Sequence, residues 1–297
     1  MNESLAEPRP YLTPRVIVHR LRISLREERT ALTIAAGLML IVTAFLLVPV
    51  GQAISSGFYV DGELSSYWFN RVVTSPILTA ELGNTFVLAI VTTLVCLVIS
   101  LPLAVIRDRF RFRGSGLLSL LLLIPLILPP FVGAIALKRF LGQFGVFNLI
   151  LDEIGIIDMS ESLPTDWLGS GFVGVVILQA LHLFPILYLN ISAALANVDP
   201  TYSQAARNLG ASRLKAFFKV TFPLIRPGIF AGGTIVFIWS FTDIGTPAII
   251  GYEHLTPVTI FKELSNAEVN PRTFSLVFIM LSASIGVGEL LEDGNRC

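Results

Sequence analysis

Between two long apolar runs, residues 199–223 read DPTYSQAARNLGASRLKAFFKVTFP. The stretch spells a helix, a break and a second helix. Asp199 suits an N-cap, because its carboxylate can accept from the free amides of a first turn, and Pro200 suits the first helical position, where no N–H is needed. Gly210 suits the left-handed residue that ends a helix, since it has no Cβ to clash at positive φ. Along the short helix between them, Tyr202, Ala205, Ala206 and Leu209 recur at helical spacing and share one small, smooth face, while Gln204, Arg207 and Asn208 point elsewhere. A second helix is expected from the N-cap Ser212, with Leu214, Phe217, Phe218 and Thr221 on one side, Lys215 and Lys219 on another, and Pro223 as its stop. Two roles fit such a basic, amphipathic elbow: it lies on lipid headgroups, or it docks another protein.

Outward from the elbow the chain is a series of apolar blocks. Of its 297 residues 54% are hydrophobic and 14% charged, which excludes an ordinary soluble domain and indicates a polytopic membrane protein. Spans are expected near 31–54, 84–106, 115–137, 172–196, 229–250 and 273–288, the last of them short. The 21 basic residues balance 21 acidic ones, so placement carries the information. Sixteen of the Lys and Arg fall in the N-terminal segment, the second and fourth connections and the C-terminal end, against five in the alternate connections. The positive-inside rule then sets both termini and the elbow in the cytoplasm of a multi-pass cell-membrane protein. The expected organisation is a cytoplasmic tail over 1–29, one membrane domain over 30–289 and a C-terminal tail over 290–297, with the first span an uncleaved signal anchor.

Within the spans, polar and helix-breaking residues mark where function would sit. In LLLLIPLILPPFVGAIAL, residues 120–137, Pro125, Pro129 and Pro130 each remove a backbone donor. Such breaks survive in a bilayer only where protein or a water-filled path satisfies the freed groups, so they read as packing kinks or as a pathway element. Asp243 is the only Asp or Glu well inside an expected span. Ser240, Asp243 and Thr246 follow at intervals of three, with Thr242 beside them, as a polar stripe on one helix. That stripe is either an interhelical hydrogen-bonded cluster or part of a translocation path. Gln179 and His182 sit three apart in the fourth span, where a histidine satisfied by a neighbour is the plainer account than a proton relay or metal ligand. Asn84 reads as the N-cap that opens the second span.

Between the spans, the connection 138–171 carries Asp152, Glu153, Asp158, Glu161 and Asp166 around an apolar patch from Phe144 to Ile150, a solvated face with a short interfacial helix. VTIFKEL, within 251–271, reads as a short re-entrant or surface helix. Cys96 and Cys297 make neither a disulfide nor a metal site. There is no G-x-x-x-x-G-K-[ST] loop and no H-E-x-x-H, so the chain is not expected to hydrolyse ATP by that route. No cofactor, metal or nucleic acid is expected as a partner.

Gln204-Ala205-Ala206, three residues, Gly210, nine residues, then Val220-Thr221-Phe222-Pro223 resembles the Glu-Ala-Ala … Gly … Ile-x-Leu-Pro signature of permease subunits of binding-protein-dependent ATP-binding-cassette importers. The spacing matches throughout. Gln204 stands where the family has Glu, Val220 where it has Ile and Phe222 where it has Leu, which keeps the shape and removes one charge. SFTDIGTPAIIG, residues 240–251, also looks like the matching span of the ferric-iron and phosphonate branch. The resemblance implies an all-α fold of six transmembrane helices with a cytoplasmic coupling elbow between the fourth and fifth. It implies that Tyr202, Gln204, Ala205, Ala206, Arg207, Leu209 and Gly210 dock on a separate ATPase subunit, and that a second permease subunit or fused half completes the translocation path. On the pathway reading of the stripe and the proline breaks, Ser240, Thr242, Asp243, Thr246, Pro129 and Pro130 are this chain's candidates to line that path. An extracytoplasmic solute-binding protein would deliver the solute: ferric iron first, then phosphonate, polyamine, thiamine or an oxyanion. The acidic ending ELLEDGNRC fits the separated or truncated first half of a two-permease protein. The rival is an ion-gradient-driven carrier, which calls for inverted repeats and more intramembrane charge.

Overall fold

A serine, a proline and an apolar run start the helix at the heart of the bundle: Ser75 is extended, Pro76 takes the first helical position, and the helix continues to Arg109. Its 34 residues reach roughly 50 Å, more than the apolar thickness of a bilayer. The computed structural model describes residues 14–60, 63–110, 114–127, 129–159, 163–169, 171–266 and 271–293. The chain divides into two units, residues 1–55 and 56–297. The first holds most of helix α1 (Pro14–Gly57), whose apolar part from Thr30 onward is long enough to cross a membrane. Helix already begins in the arginine-bearing segment ahead of that span.

The second unit opens with a two-residue antiparallel pair, β1 (Tyr59–Val60) with β2 (Glu63–Leu64). Helices α2 (Tyr67–Thr74), α3 (Pro76–Arg109), α4 (Ser115–Ile127), α5 (Pro130–Leu141) and α6 (Val146–Glu153) follow. Then come α7 (Phe172–Ala196), α8 (Pro200–Asn208) and α9 (Arg213–Ala216), a π-helical turn over Phe217–Thr221, and α10 (Phe222–Thr242). Helices α11 (Gly245–Ile250), α12 (Thr256–Leu264) and α13 (Pro271–Asp293) complete it. Among the described residues six helical stretches are long and apolar enough to span a membrane: Thr30–Gly57, Pro76–Arg109, Pro130–Glu153, Phe172–Ala196, Arg213–Thr242 and Pro271–Glu289.

Two expected spans are each two helices. The run 115–137 divides at Pro129 and Pro130 into α4 and α5, since neither proline can donate to the turn before it and their rings crowd its carbonyls. The run 229–250 divides after Thr242, where Asp243 turns extended, φ −70° and ψ 125°, before α11 begins. Asn84 is not a cap: α3 starts eight residues earlier at Pro76, and the Asn84 amide donates across the bundle to the His254 carbonyl at 3.2 Å.

Helices α3, α7 and α10 form the centre, and α7 is the most enclosed of the spans. Cys96 and Ala104 of α3, Leu183, Leu187 and Ile191 of α7, and Ile225 and Val236 of α10 close one core cluster. A second joins Leu88, Ala134, Val175, Ile250 and Val258 from α3, α5, α7, α11 and α12. Helices α7 and α10 touch through glycine. A Cβ on Gly228 would lie 2.5 Å from the Ala194 Cβ, and one on Gly232 would lie 2.8 Å from Leu187 Cδ1. Lipid offers no hydrophobic drive between helices, so close backbone packing of this kind supplies the contact energy.

Candidate functional site

At one end of the bundle stands the elbow, α8 and α9. Thr201 N donates to Asp199 Oδ1 at 2.8 Å, and these hydrogen bonds hold the Asp199 carboxyl below the usual carboxylate range. At the other end of α8, Gly210 takes φ +88°, Ala211 N donates to the Ala206 carbonyl and Gly210 N to the Arg207 carbonyl, closing a Schellman pair. Ser212 Oγ then accepts from Lys215 N at 3.3 Å to start α9. Both ends are therefore fixed by local bonds, and no residue of α8 is buried. Tyr202 is 58% and Leu209 89% exposed, Leu214 and Phe218 are exposed as well, and Gln204, Arg207, Asn208, Ser212 and Arg213 border a polar cleft beside them. Ala205 is exposed and Ala206 half-buried.

Pro223 does not stop the second helix. The chain continues through α9 and the π-helical turn into α10, with Phe222 N donating to the Phe217 carbonyl five residues back. Pro223 has no N–H for the Lys219 carbonyl, and its ring would crowd it; one widened turn passes the proline without ending the helix. The elbow is thus continuous with the span that leads into the bundle. Phe217, Phe218 and Phe222 cluster at this turn, with the Arg109 guanidinium 5.4 Å over the Phe217 ring and that of Arg226 5.9 Å over the Phe222 ring.

Farther along, the two helix breaks lie side by side: a Cβ on Gly245 would sit 3.8 Å from the Phe131 Cβ. Gln179 of α7, 2% exposed, is the hub of a polar cluster. Its Oε1 accepts from Thr92 Oγ1 at 3.2 Å and from Ser240 Oγ at 2.6 Å, while its Nε2 donates to Asp243 Oδ2 at 3.0 Å. The other Asp243 oxygen accepts from Gly245 N at 2.9 Å and Thr246 N at 3.4 Å, so the side chain caps α11. One turn along α7, His182 Nδ1 lies 2.9 Å from the Pro125 carbonyl, an acceptor only, which puts the ring proton on that nitrogen.

The sequence-derived stripe Ser240, Asp243, Thr246 is therefore not one helical face. Ser240 lies in the last turn of α10, Asp243 fills the break and Thr246 belongs to α11, and the cluster that joins them runs through Gln179 and Asp243. Thr242 turns outward, its hydroxyl donating to the Ile238 carbonyl of its own helix. Pro129 and Pro130 lie at the neighbouring break.

At the end opposite the elbow, Lys138 Nζ donates to the Ile249 carbonyl at 2.5 Å, tying α5 to α11 beside a pocket lined by Arg139, Gln143, Asp166 and Ile250. Asn148, fully buried, donates to the Gln143 and Thr165 carbonyls at 2.9 and 2.7 Å and accepts from Trp167 Nε1 at 2.7 Å. Sequence reading passed over Asn148; a lone amide inside the apolar run VFNLIL was its one signal. It also missed Glu81, which accepts from Thr259 Oγ1 at 2.7 Å, and Glu263, which pairs with Arg272 and Thr273. Among the described residues no group of three or more His, Cys, Asp or Glu is arranged to hold a metal ion.

Known proteins give this arrangement its place. The chain is similar to the ferric transport system permease protein FbpB of Actinobacillus pleuropneumoniae, 28% identical over 265 residues that cover 87% of this chain and 37% of that protein. It is also similar to the sulfate transport system permease protein CysT of Salmonella typhimurium, 27% identical over 271 residues, covering 89% of this chain and 92% of the other. The chain thus spans less than half the length of the ferric permeases it matches. A solved bacterial ABC transporter involved in the import of the acidic polysaccharide alginate superposes with a TM-score of 0.70 at 16% identity, over 93% of this chain and 98% of that one, which is a likeness of fold. The sequence pattern of the binding-protein-dependent transport system inner membrane component covers residues 97–288, from the middle of α3 through the elbow and into α13. This chain belongs to that family.

Proposed function

We propose that the chain forms half of the translocation pathway of an ATP-binding-cassette importer. In this reading, α8 docks on a separate ATPase subunit at the cytoplasmic face, and a second permease subunit or fused half supplies the other side. The observation that carries the reading is the elbow: α8 is capped at both ends with no residue buried, and beyond the Gly210 turn α9 runs without interruption into α10. Tyr202, Gln204, Ala205, Ala206, Arg207, Leu209 and Gly210 make the docking face. Both termini then lie in the cytoplasm, in accord with the basic bias of the elbow side.

An external binding protein would meet the opposite end, where Asn148 holds Thr165 and Trp167 of the connection between α6 and α7. Ferric iron is the first solute on the resemblance of SFTDIGTPAIIG to its branch. The relatives named for molybdenum, sulfate and spermidine/putrescine keep oxyanions and polyamines open beside it. The solute that the cognate binding protein captures decides among them.

Leu209→Asp tests the docking face. At 89% exposure the side chain has little to lose within the chain, so insertion and thermal stability should match wild type. ATPase co-purification and ATP-driven uptake should fall together by roughly tenfold or more, since a charge would replace an apolar anchor at the contact. Wild-type uptake in this variant, or uptake by vesicles emptied of nucleotide, would overturn the reading.

A further inference from the structure

Both helix breaks are fastened to one helix. Gln179 and His182 stand three residues apart on α7, hence on one face, and each reaches a different break: Gln179 to Asp243 between α10 and α11, His182 to Pro125 ahead of the α4 to α5 break. We infer that this pair consists of positioning residues that set the register of α5 and α11, the two half-helices leading to the end opposite the elbow, with α7 as their fixed post.

The chemistry at each break is complementary to what the backbone lost there. In an unbroken helix the Pro125 carbonyl would accept from the amide of residue 129, but that residue is Pro129 and has no N–H. A carbonyl stranded in a membrane interior has no water to turn to, and the imidazole N–H takes the vacant role. At the second break Asp243 gives one oxygen to the amides that start α11 and the other to Gln179. The Gln179 carbonyl in turn holds hydroxyls from α3 and α10, so this one amide locks three helices and the cap of a fourth. Asp243 thereby serves geometry, both its oxygens being engaged within the chain. The two half-helices meet at Phe131 and Gly245 and are tied again by Lys138 to Ile249, so a shift at either break would displace both.

The primary readout is a distance inside the chain, independent of the importer reading. In a Cys96→Ser, Cys297→Ser background, Phe131→Cys with Gly245→Cys places two Cβ atoms 3.8 Å apart, within the span of a disulfide. Oxidation of the purified, monodisperse protein should close the bond readily. Adding His182→Leu, which removes one buried hydrogen bond, should slow closure by about tenfold, and Gln179→Leu, which removes three, should slow it at least as much. His182→Asn, whose amide offers an N–H near the imidazole position, should restore it. Unchanged closure in both leucine variants, or an asparagine variant no better than leucine, overturns the inference. Should His182→Leu fail to fold, Pro129→Ala supplies the missing N–H from the backbone, and the double variant should fold and crosslink like its parent; if it does not, the inference falls.

Discussion

Asp199 works on its own backbone, and so it was readable without a structure. Its carboxyl caps Thr201 two residues on, Pro200 needs no partner, Gly210 answers to its own φ, and Ser212 serves Lys215. Because the hydrogen bonds lower the Asp199 pKa in the folded state, the cap contributes in full above the usual carboxylate range and is lost as pH falls through the lowered value. At neutral pH, Asp199→Ala should therefore speed amide exchange at Thr201 and Tyr202, with Asp199→Ser close to wild type; identical exchange in the alanine variant would remove the cap from the account. Gln179, Asn84 and Glu81 lie at the other extreme. Their partners are Asp243, His254 and Thr259, 64, 170 and 178 residues away. No local pattern encodes such a bond, which exists only once the bundle has brought two distant segments together.

Elements were readable by composition and misread where composition hides a break. Hydropathy sums a window, and the residues about Pro129 and Asp243 are apolar enough to leave the sum intact while the backbone turns. The prolines of the third span announced a break; Pro223 announced one that a π-helical turn absorbs. The glycine contact between α7 and α10 left only a faint trace, Gly228 and Gly232 at a spacing of four, because its meaning depends on Asn190 and Ala194 of the facing helix. Gly232→Leu should push α10 off α7 and lower stability by about 1–3 kcal/mol, as overpacked cores do. A denaturant titration in detergent reads this, and a variant as stable as wild type would mean that the helices tolerate separation at that point.

For the molecule as a whole, the sequence gives six apolar stretches and a basic elbow, while the structure adds that the enclosed helix α7 touches every element bearing a break. Large apolar side chains remain on the surface of α3, among them Val87, Ile90, Leu94 and Val98, as suits a chain whose outer solvent is lipid. The glycine crossing has a mechanical corollary. If α10 pivots where the two backbones touch, Gly228 and Gly232 place the fulcrum between unequal arms: roughly 25 Å back to Arg213 and roughly 18 Å forward to Thr242, at 1.5 Å per residue. A push on the short amphipathic corner should re-emerge beside Asp243 reversed in sense and shrunk to about 0.7 of its size. Spin labels at Leu214 and Thr242, each paired with one on α7, should then report changes of opposite sign when nucleotide is added to the chain together with the ATPase subunit of the proposed importer; changes of one sign would make the rod a piston instead of a see-saw.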